Sequence, residues 1–245
     1  GRGLYAARDL GLMQLKNDAF HAQKSYIVTA EEQRDYFKGV IAAAELSLPE
    51  LKGVTVNIST GTVKLSSGKM SSRDGDVIEI GWLFDQFRAA IEARGGEATD
   101  EIVAGALRYQ FLKVKIGSDV IFDINEAVSL QGNTGSYLQY AHARARSILA
   151  KVEIGELSDL RDEDRGLVRK LGAYNDVLAR AMAELQPHHL AQYLFELAQE
   201  FNRYYESNQV AGTEFEAHRA ALVQVYADTL GRGLDVLGIV APDKM

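Results

Sequence analysis

The hydrophobic positions follow two different periods along the chain. In residues 1–97, short apolar runs typical of β-strands, at residues 24–29, 54–58 and 62–65, alternate with helical runs. From Thr99 onward the apolar positions recur at helical spacing. The pattern therefore predicts an α/β part followed by an all-helical bundle, in a chain that is mostly helical overall.

The helical part carries its own start and stop signals. Thr99 can cap a helix, and Asp100 and Glu101 suit the first turn, where negative charge interacts favourably with the helix dipole. Residues 117–122 and 131–135 are predicted to be irregular, and a long helix should follow the second stretch. The stripes expected to face the core are Ile102, Ala106, Tyr109 and Leu112; Leu138, Ala141, Ala145, Ile148 and Val152; Leu190, Leu194, Leu197, Phe201 and Tyr205; and Leu222, Val225, Thr229 and Leu237.

Composition restricts the classes of protein that remain. A length of 245 residues allows one or two domains, and we place a boundary near Glu97, giving domains 1–97 and 98–245. The absence of cysteine excludes disulfides and thiolate chemistry. No apolar run has the roughly 18 residues of a membrane span and no signal-peptide pattern opens the chain, so we expect a cytoplasmic protein without membrane contact. The net charge of −7 shows no global basic signature, so nucleic acid would need a local patch.

One small polar loop has the chemistry of a polyphosphate site. Residues 68–75 read Gly-Lys-Met-Ser-Ser-Arg-Asp-Gly. The glycines let backbone N–H groups approach a phosphate, Lys69 supplies a positive charge, and Ser71 and Ser72 can donate hydrogen bonds. A solvated β-turn that happens to contain a lysine is the alternative.

Two motifs in order resemble a known enzyme family. Residues 68–75 resemble the Lys-Met-Ser-Lys-Ser signature of class I aminoacyl-tRNA synthetases, in the form typical of the arginine enzymes. Residues 132–148, Gly-Asn-Thr-Gly-Ser-Tyr-Leu-Gln-Tyr-Ala-His-Ala-Arg-Ala-Arg-Ser-Ile, resemble the entrance to the anticodon-binding domain of arginyl-tRNA synthetases. Further agreement at residues 105–109, 122–123, 193–198 and 237–245 extends the resemblance over nearly the whole chain.

The resemblance implies a fold and a reaction. It implies a partial nucleotide-binding, Rossmann-like catalytic domain followed by a helical anticodon-binding domain. The implied reaction joins L-arginine to tRNA-Arg with ATP as substrate, Mg²⁺ expected and no bound organic cofactor. Lys69, Ser71 and Ser72 would act on the pyrophosphate, and Gly61, Lys69 and Met70 would contact ATP.

Tyr5 and Asp9 form a candidate arginine site. They lie four residues apart, so they project from one face of a helix, and a carboxylate beside an aromatic ring suits a planar guanidinium. The spacing alone favours the alternative, in which Asp9 pairs with Arg8 or Lys16 at the surface. The resemblance favours the arginine site and adds Gln33 to it.

The resemblance also assigns the residues that contact tRNA. Tyrosine rings could stack on unpaired anticodon bases and arginines could reach phosphates, although a tyrosine at helical spacing commonly serves packing instead. The implied tRNA contacts are Gly132, Asn133, Tyr137, Tyr140, Arg144, Tyr205 and Met245, with Arg146 as a further cation.

The sequence departs from the family pattern in several places. Asn57 and Tyr36 stand where the family often has histidines, and Ser136 replaces a common proline. Gln209 stands where some relatives carry a tryptophan. The departure at Asn57 concerns the predicted contacts with ATP, because the family's histidine there lies beside the adenine site.

The chain has no His-Ile-Gly-His-type motif, which class I enzymes need. We therefore expect it to be inactive alone and to require an N-terminal catalytic half as partner. A non-catalytic tRNA-binding module derived from such an enzyme is the alternative function, and a purely structural helical protein is a third. His21, His188, His189 and His218 have no spacing typical of a metal site and are left structural.

Overall fold

The computed structural model describes residues 4–66, 79–157 and 160–245. The chain is mostly helical, as the sequence predicts. Its helices are α1 (Tyr5–Phe20), α2 (Arg34–Ser47), α3 (Ile80–Glu92), α4 (Asp100–Leu112), α5 (Ile124–Ala127), α6 (Gly135–Leu149), α7 (Arg165–Gly172), α8 (Tyr174–Glu184), α9 (His188–Ser207) and α10 (Glu216–Val236). Its strands are β1 (Ser25–Ala30), β2 (Thr55–Thr60), β3 (Val63–Leu65) and β4 (Val120–Phe122).

The chain divides into two compact units. The smaller unit comprises Gly1–Val63 and Ile116–Val120, and the larger comprises Lys64–Lys115 and Ile121–Met245. The predicted domains 1–97 and 98–245 stay a prediction.

The smaller unit is built on one β-α-β segment. Strands β1 and β2 are parallel, in a register that pairs Ser25 with Thr55 and Ala30 with Thr60, and α2 connects them. A parallel pair needs such a crossover, and this is the segment from which nucleotide-binding sheets are assembled. Its apolar core is Met13, Val40, Ala44 and Leu51. The Rossmann-like character of the complete domain stays a prediction.

The predicted strands of the first part are close to those observed, but one irregular stretch is wrong. Residues 117–122 were expected to lack regular structure, whereas Val120–Phe122 form β4, which pairs with β3. The Val120 N–H donates to the Thr62 carbonyl at 2.9 Å. A three-residue strand is too short to show a period of two, so the pattern could not distinguish it from a loop.

The larger unit packs helices around one apolar core. Three of the predicted stripes supply that core, including Tyr109, Leu138, Leu194 and Phe201, each at most 1% exposed. Helix α6 contacts both α4 and α10. The crossing with α4 is close at Gly135, where a Cβ atom would lie 2.7 Å from the Gly105 carbonyl oxygen.

Two helical predictions need correction. Helix α6 ends at Leu149, before Val152, although Val152 still packs against the core. In the stripe expected on the last helix, Leu222 and Leu237 are buried as predicted, but Val225 is 43% exposed while Tyr226 and Leu230 are fully buried. The helix buries a wide surface against several neighbours, and a single stripe with one residue per turn does not capture such a surface.

A buried polar cluster joins three helices of the larger unit. Asp164, which is fully buried just before α7, accepts hydrogen bonds from the His218 ring of α10 at 2.8 Å and from the Tyr204 hydroxyl of α9 at 3.1 Å. The oxygen that His218 contacts, Oδ2, also accepts the Arg161 backbone N–H at 2.9 Å. His218, left structural by the sequence, is thus part of a buried ion-pair geometry.

Among the described residues, none of the helices combines the length and apolar character that a bilayer span would need.

Candidate nucleic-acid interface

The predicted RNA-binding residues begin at the loop that starts α6. Thr134 caps the helix by accepting the Tyr137 backbone N–H at 3.0 Å, and its hydroxyl donates to the Ser129 carbonyl at 2.6 Å. Gly132 has φ of 82°, a left-handed conformation that favours glycine. These contacts define the conformation of the loop and the point at which α6 begins.

Asn133 connects this loop to the helices behind it. Its side-chain oxygen accepts the Tyr109 hydroxyl at 2.5 Å, and its carbonyl accepts Lys113 Nζ at 3.0 Å. The Tyr109 hydroxyl is within 3.0 Å of the Ala191 carbonyl as well. Asn133 therefore has a structural role in addition to the predicted contact with tRNA.

Three predicted contact residues share one side of α6. Tyr137, Tyr140 and Arg144 follow each other at intervals of three and four residues, so they line one stripe. Tyr140 is 38% exposed, whereas Tyr137 is half-buried and its hydroxyl accepts the Asn202 amide at 2.8 Å. Of the two rings, Tyr140 offers the more accessible surface.

Arg144 and Tyr205 are brought together from α6 and α9. The Arg144 guanidinium carbon lies 5.0 Å from the centre of the Tyr205 ring, within the range of a cation–π interaction. The Tyr205 ring also packs on Phe201, with centroids 6.0 Å apart, and Phe201 stacks on Tyr226 at 3.8 Å. The rings of Tyr226, Phe201 and Tyr205 thus form one cluster, here called the aromatic platform, that extends from the buried core to the half-buried Tyr205.

Burial and nearby positive charge shift the pKa values of the tyrosines of this region in opposite directions. Burial raises the pKa of Tyr137, while the hydrogen bond from Asn202 and the positive charge of Arg144 partly offset that rise. Burial also raises the pKa of Tyr226 well above its usual value. Both hydroxyls therefore stay neutral at physiological pH.

The C-terminal tail docks along another side of α6. Gln139 donates to the Val240 carbonyl at 3.0 Å, His142 Nδ1 donates to the Pro242 carbonyl at 2.8 Å, and Arg146 pairs with Asp243 at 3.0 Å. These three residues are offset by two positions from Tyr137, Tyr140 and Arg144, so they lie on roughly the opposite face. Met245 ends this tail and is 38% exposed.

The predicted arginine site lies in the smaller unit. Tyr5 and Asp9 are on α1, as predicted, and Tyr5 is 81% exposed. Asp9 accepts the Tyr36 hydroxyl at 2.6 Å, a partner that the sequence did not indicate. This hydrogen bond, with burial and the negative charge of Asp9 as smaller causes, raises the pKa of Tyr36. Gln33 is exposed just before α2.

The predicted ATP and catalytic residues are only partly covered by the structure. Lys69, Met70, Ser71 and Ser72 lie outside the described residues. A Cβ atom on Gly61 would lie 2.2 Å from the Ser118 carbonyl oxygen, so a close backbone approach requires glycine there. Asn57 donates to the Ile27 carbonyl at 3.1 Å and to the Thr29 hydroxyl at 3.0 Å, between the two parallel strands.

Sequence reasoning did not identify several contacts of these sites. The Tyr36–Asp9 hydrogen bond and the tail contacts of Gln139 and His142 join residues that are 27 to 101 positions apart. No local pattern signals such a pairing. In the described part of the chain, no group of three or more His, Asp or Glu side chains is placed to hold a metal ion.

Comparison with known proteins first gives the class to which the helical part belongs. Residues 138–245 match the DALR anticodon binding domain. This segment contains most of α6, the platform around Tyr205 and the docked tail. The larger unit therefore contains a helical segment similar to the DALR anticodon binding domain.

The whole chain has relatives of one kind. It is 29% identical over 268 residues to an arginine–tRNA ligase of Clostridium acetobutylicum and 33% identical over 261 residues to one of Limosilactobacillus reuteri. All of this chain is covered, against 47% and 46% of those proteins. The solved arginyl-tRNA synthetase of Thermus thermophilus superimposes with a TM-score of 0.84 and 26% identity, over 100% of this chain and 50% of that one.

The chain thus spans about half the length of the curated relatives that it matches. It is related to the C-terminal half of arginyl-tRNA synthetases, and the resemblance stated from the sequence is confirmed. The individual site residues are not tested by these comparisons and stay predictions.

Proposed function

We propose that this chain recognises the anticodon of tRNA-Arg through α6 and α9, as part of an arginine–tRNA ligase. The observation that carries the proposal is the Arg144 guanidinium over the Tyr205 ring, 5.0 Å from its centre, in a segment that matches an anticodon-binding domain. Beside it on α6 is the exposed ring of Tyr140. Aromatic rings and arginine planes are the surfaces on which unstacked RNA bases are held.

The net charge of the chain makes a local surface necessary. With a formal charge of −7, the whole molecule does not attract a polyanion. Arg144 is half-buried against Tyr205, so its position is restricted before RNA arrives and less side-chain entropy is lost on binding. Gly132, Asn133 and Met245 are proposed as further contacts with the RNA.

Replacing Tyr140 tests the proposal. We expect Tyr140→Ala to weaken tRNA-Arg binding about tenfold or more, because stacking of one base on an aromatic side chain contributes roughly 1–3 kcal/mol. The measurement is fluorescence anisotropy with labelled tRNA-Arg, a non-cognate tRNA as competitor and a stated salt concentration. Tyr26→Ala is the matched control, because Tyr26 is another exposed tyrosine, 49% accessible, on β1. Equal affinities for the two variants would contradict the assignment.

A second proposal concerns the substrate arginine. We propose that Asp9 accepts the guanidinium of L-arginine, with Tyr5 and Gln33 beside it. The hydrogen bond from Tyr36 restricts the Asp9 carboxylate at 2.6 Å, and a carboxylate has lone pairs left to accept further donors. A restricted carboxylate suits the planar donors of a guanidinium better than a freely rotating one does.

Neutral analogues of arginine test the Asp9 proposal. We expect saturation-transfer NMR to detect binding of L-arginine but not of L-citrulline, whose urea group is uncharged, and Asp9→Asn should abolish that difference. Asp18→Asn is the matched control, since Asp18 is another aspartate of α1, bonded to Gln14 at 2.7 Å. If Asp9→Asn keeps the preference for arginine, the charge of Asp9 is not what selects the substrate.

The complete reaction is proposed for the whole enzyme. Arginine activation would use ATP with Mg²⁺, and Lys69, Ser71 and Ser72 would neutralise the departing pyrophosphate while Gly61 and Met70 contact the nucleotide. Because the relatives are about twice as long as this chain, we propose that it acts jointly with an N-terminal catalytic half. A cytoplasmic location is proposed because the relatives are arginine–tRNA ligases, whose reaction serves protein synthesis.

The alternative function is a tRNA-binding module without catalysis. It predicts the same loss of tRNA binding in Tyr140→Ala, but no preference for arginine over citrulline. The Tyr36–Asp9 hydrogen bond favours the enzyme, because a binding module has no need to restrict a partly exposed carboxylate.

A further inference from the structure

A polar cavity of about 510 Å³ lies in the larger unit, beside the loop that precedes α6. Arg94 just after α3, the C-terminal end of α4, helix α5 and residues 129–134 line it. Its volume falls within the roughly 300–1,000 Å³ typical of small-ligand sites. The side chains that bear on its chemistry are Arg94, Gln110, Lys113, Asp123, Glu126 and Asn133.

Gln110 gives the first indication that the cavity receives a ligand. Gln110 lines the cavity and is only 1% exposed, and its amide nitrogen has no hydrogen-bond partner within the described parts of the chain. A buried amide donor without an acceptor is unfavourable, and such groups are rare in folded proteins. A ligand with a carbonyl or ring-nitrogen acceptor would satisfy it.

Lys113, the residue that follows α4, supplies a second donor. It lies three residues after Gln110, so both project from one side of α4. Its ammonium is half-buried and donates one proton to the Asn133 carbonyl at 3.0 Å, leaving protons for another acceptor. Burial lowers the pKa of Lys113 and the carboxylate of Glu126 opposes that shift, so its charge is already partly desolvated.

The charges around the cavity are balanced. Arg94 and Lys113 are positive, while Asp123 and Glu126 are negative. The Arg94 guanidinium is engaged with protein, donating to the Asn125 carbonyl at 2.9 Å and the Ala90 carbonyl at 3.2 Å. Balanced charge disfavours both a phosphate and a metal cation, and it favours a neutral ligand that has donors as well as acceptors.

Asp123, which lines the same cavity, provides acceptors. Its Oδ1 accepts the Glu126 backbone N–H at 3.1 Å and its Oδ2 accepts the Ser66 hydroxyl at 3.3 Å. Each carboxylate oxygen keeps lone pairs for a further donor. The cavity can therefore accept hydrogen bonds from an exocyclic amino group and donate to a neighbouring ring nitrogen or carbonyl.

We infer that this cavity holds an unstacked nucleobase of the bound tRNA. A base edge carries adjacent donors and acceptors without net charge, which matches the side chains of the cavity. Asn133 links the cavity to the proposed interface, because it lies in the wall and belongs to the loop at the start of α6. The inference rests on the proposed binding of tRNA-Arg, and it adds a base pocket distinct from the Tyr140 and Tyr205 surface.

The test combines a protein variant with a missing base. Gln110→Leu keeps the volume of the side chain and removes the unpaired donor, so its thermal midpoint should equal or exceed that of the wild type. An anticodon-arm RNA of tRNA-Arg is the probe, with an abasic nucleotide introduced at one loop or flanking position at a time. Gln199→Leu is the matched control, because Gln199 is exposed on α9 outside this cavity.

We expect Gln110→Leu to bind the intact arm about five- to tenfold more weakly than the wild type or Gln199→Leu. One abasic position should weaken wild-type binding by a similar factor and have no further effect on Gln110→Leu, since the two changes remove the same contact. Lys113→Met should show the same coupling to that position.

Two results overturn the inference in different ways. If the wild type selects the tRNA-Arg arm but Gln110→Leu and Lys113→Met bind every RNA with wild-type affinity, the cavity holds no base and the proposed function stands. The same conclusion follows if the effects of the variant and of the abasic position on the binding free energy are additive. If the wild type shows no selective binding of the arm, the proposed function fails and the base pocket fails with it.

Discussion

At the scale of residues, the buried cluster around Asp164 joins the segment just before α7 to α9 and α10. A fully buried carboxylate is unfavourable unless it is paired, and here His218, Tyr204 and the Arg161 N–H satisfy it. Breaking such a group by removing one member leaves the others desolvated and unpaired. The cluster is therefore expected to contribute to stability far more than the exposed ion pairs of the same region.

A pair of neighbouring aspartates tests this expectation. We expect Asp164→Asn to lower the free energy of unfolding by about 3 kcal/mol, the usual cost of breaking a buried pair. Asp162→Asn should change it within experimental error, because the side chains of Asp162 and its partner Arg165 are 93% and 74% exposed. Urea unfolding followed by circular dichroism measures both, and equal midpoints for the two variants would contradict the role of the cluster.

The same carboxylate makes stability depend on pH. Burial alone would raise the pKa of Asp164, but the hydrogen bonds from Arg161, His218 and Tyr204 outweigh it and hold the pKa below the ordinary value of 3.8. A lowered folded pKa contributes stability that is complete above the unfolded value and is lost as the pH falls through the folded one.

We therefore expect the difference in unfolding free energy between the wild type and Asp164→Asn to shrink on acidification from about pH 5.5 to about pH 3. The measurement is urea unfolding of both proteins across this range. A difference that stays constant or grows towards low pH would mean that another group carries the effect.

At the scale of elements, α6 owes its position to its first residue. Gly135 lets α6 approach α4, since a Cβ atom would lie 2.7 Å from the Gly105 carbonyl oxygen and 2.8 Å from the Tyr109 Cβ. Neither atom is the end of a flexible side chain, so the backbone would have to move. Because α6 carries Tyr140 and Arg144, its position also determines where the proposed RNA contacts lie.

Alanine at position 135 should therefore destabilise the protein despite its preference for helices. We expect Gly135→Ala to cost about 1–3 kcal/mol of unfolding free energy, as overpacking in a core usually does. Gly172→Ala, at the end of α7 where nothing lies within 4 Å of the new Cβ, should cause no loss. Thermal unfolding of both variants measures this, and a neutral Gly135→Ala would show that the crossing is looser than described.

The sequence predicted elements well where their pattern was long. The helix capped by Thr99 and the stripe from Leu190 to Phe201 have strong periods, and both are confirmed. The predictions for Val120–Phe122 and for the end of α6 were wrong because three residues, less than one helical turn, carry too little periodic signal. The partners of Asp9 and Asp164 depend on tertiary packing, which no local window contains.

At the scale of the whole molecule, residues 138–245 match the DALR anticodon binding domain, and the chain as a whole aligns with about half the length of its relatives. The resemblance read from two motifs is confirmed over the whole chain, while the fold around Lys69 lies outside the described residues. Composition alone argued against nucleic acid, because the net charge is −7. The arrangement of Tyr140, Arg144 and Tyr205 is the local surface that we propose for RNA in this negatively charged protein.

The central claim is that this chain recognises tRNA-Arg by its anticodon, and an anticodon transplant tests it most directly. The measurement compares binding of a non-cognate tRNA before and after its anticodon is replaced by that of tRNA-Arg, by anisotropy at a fixed salt concentration. The account predicts that the transplant raises affinity about tenfold or more, and that Tyr140→Ala removes the gain. Unchanged affinity after the transplant would contradict anticodon recognition by this chain.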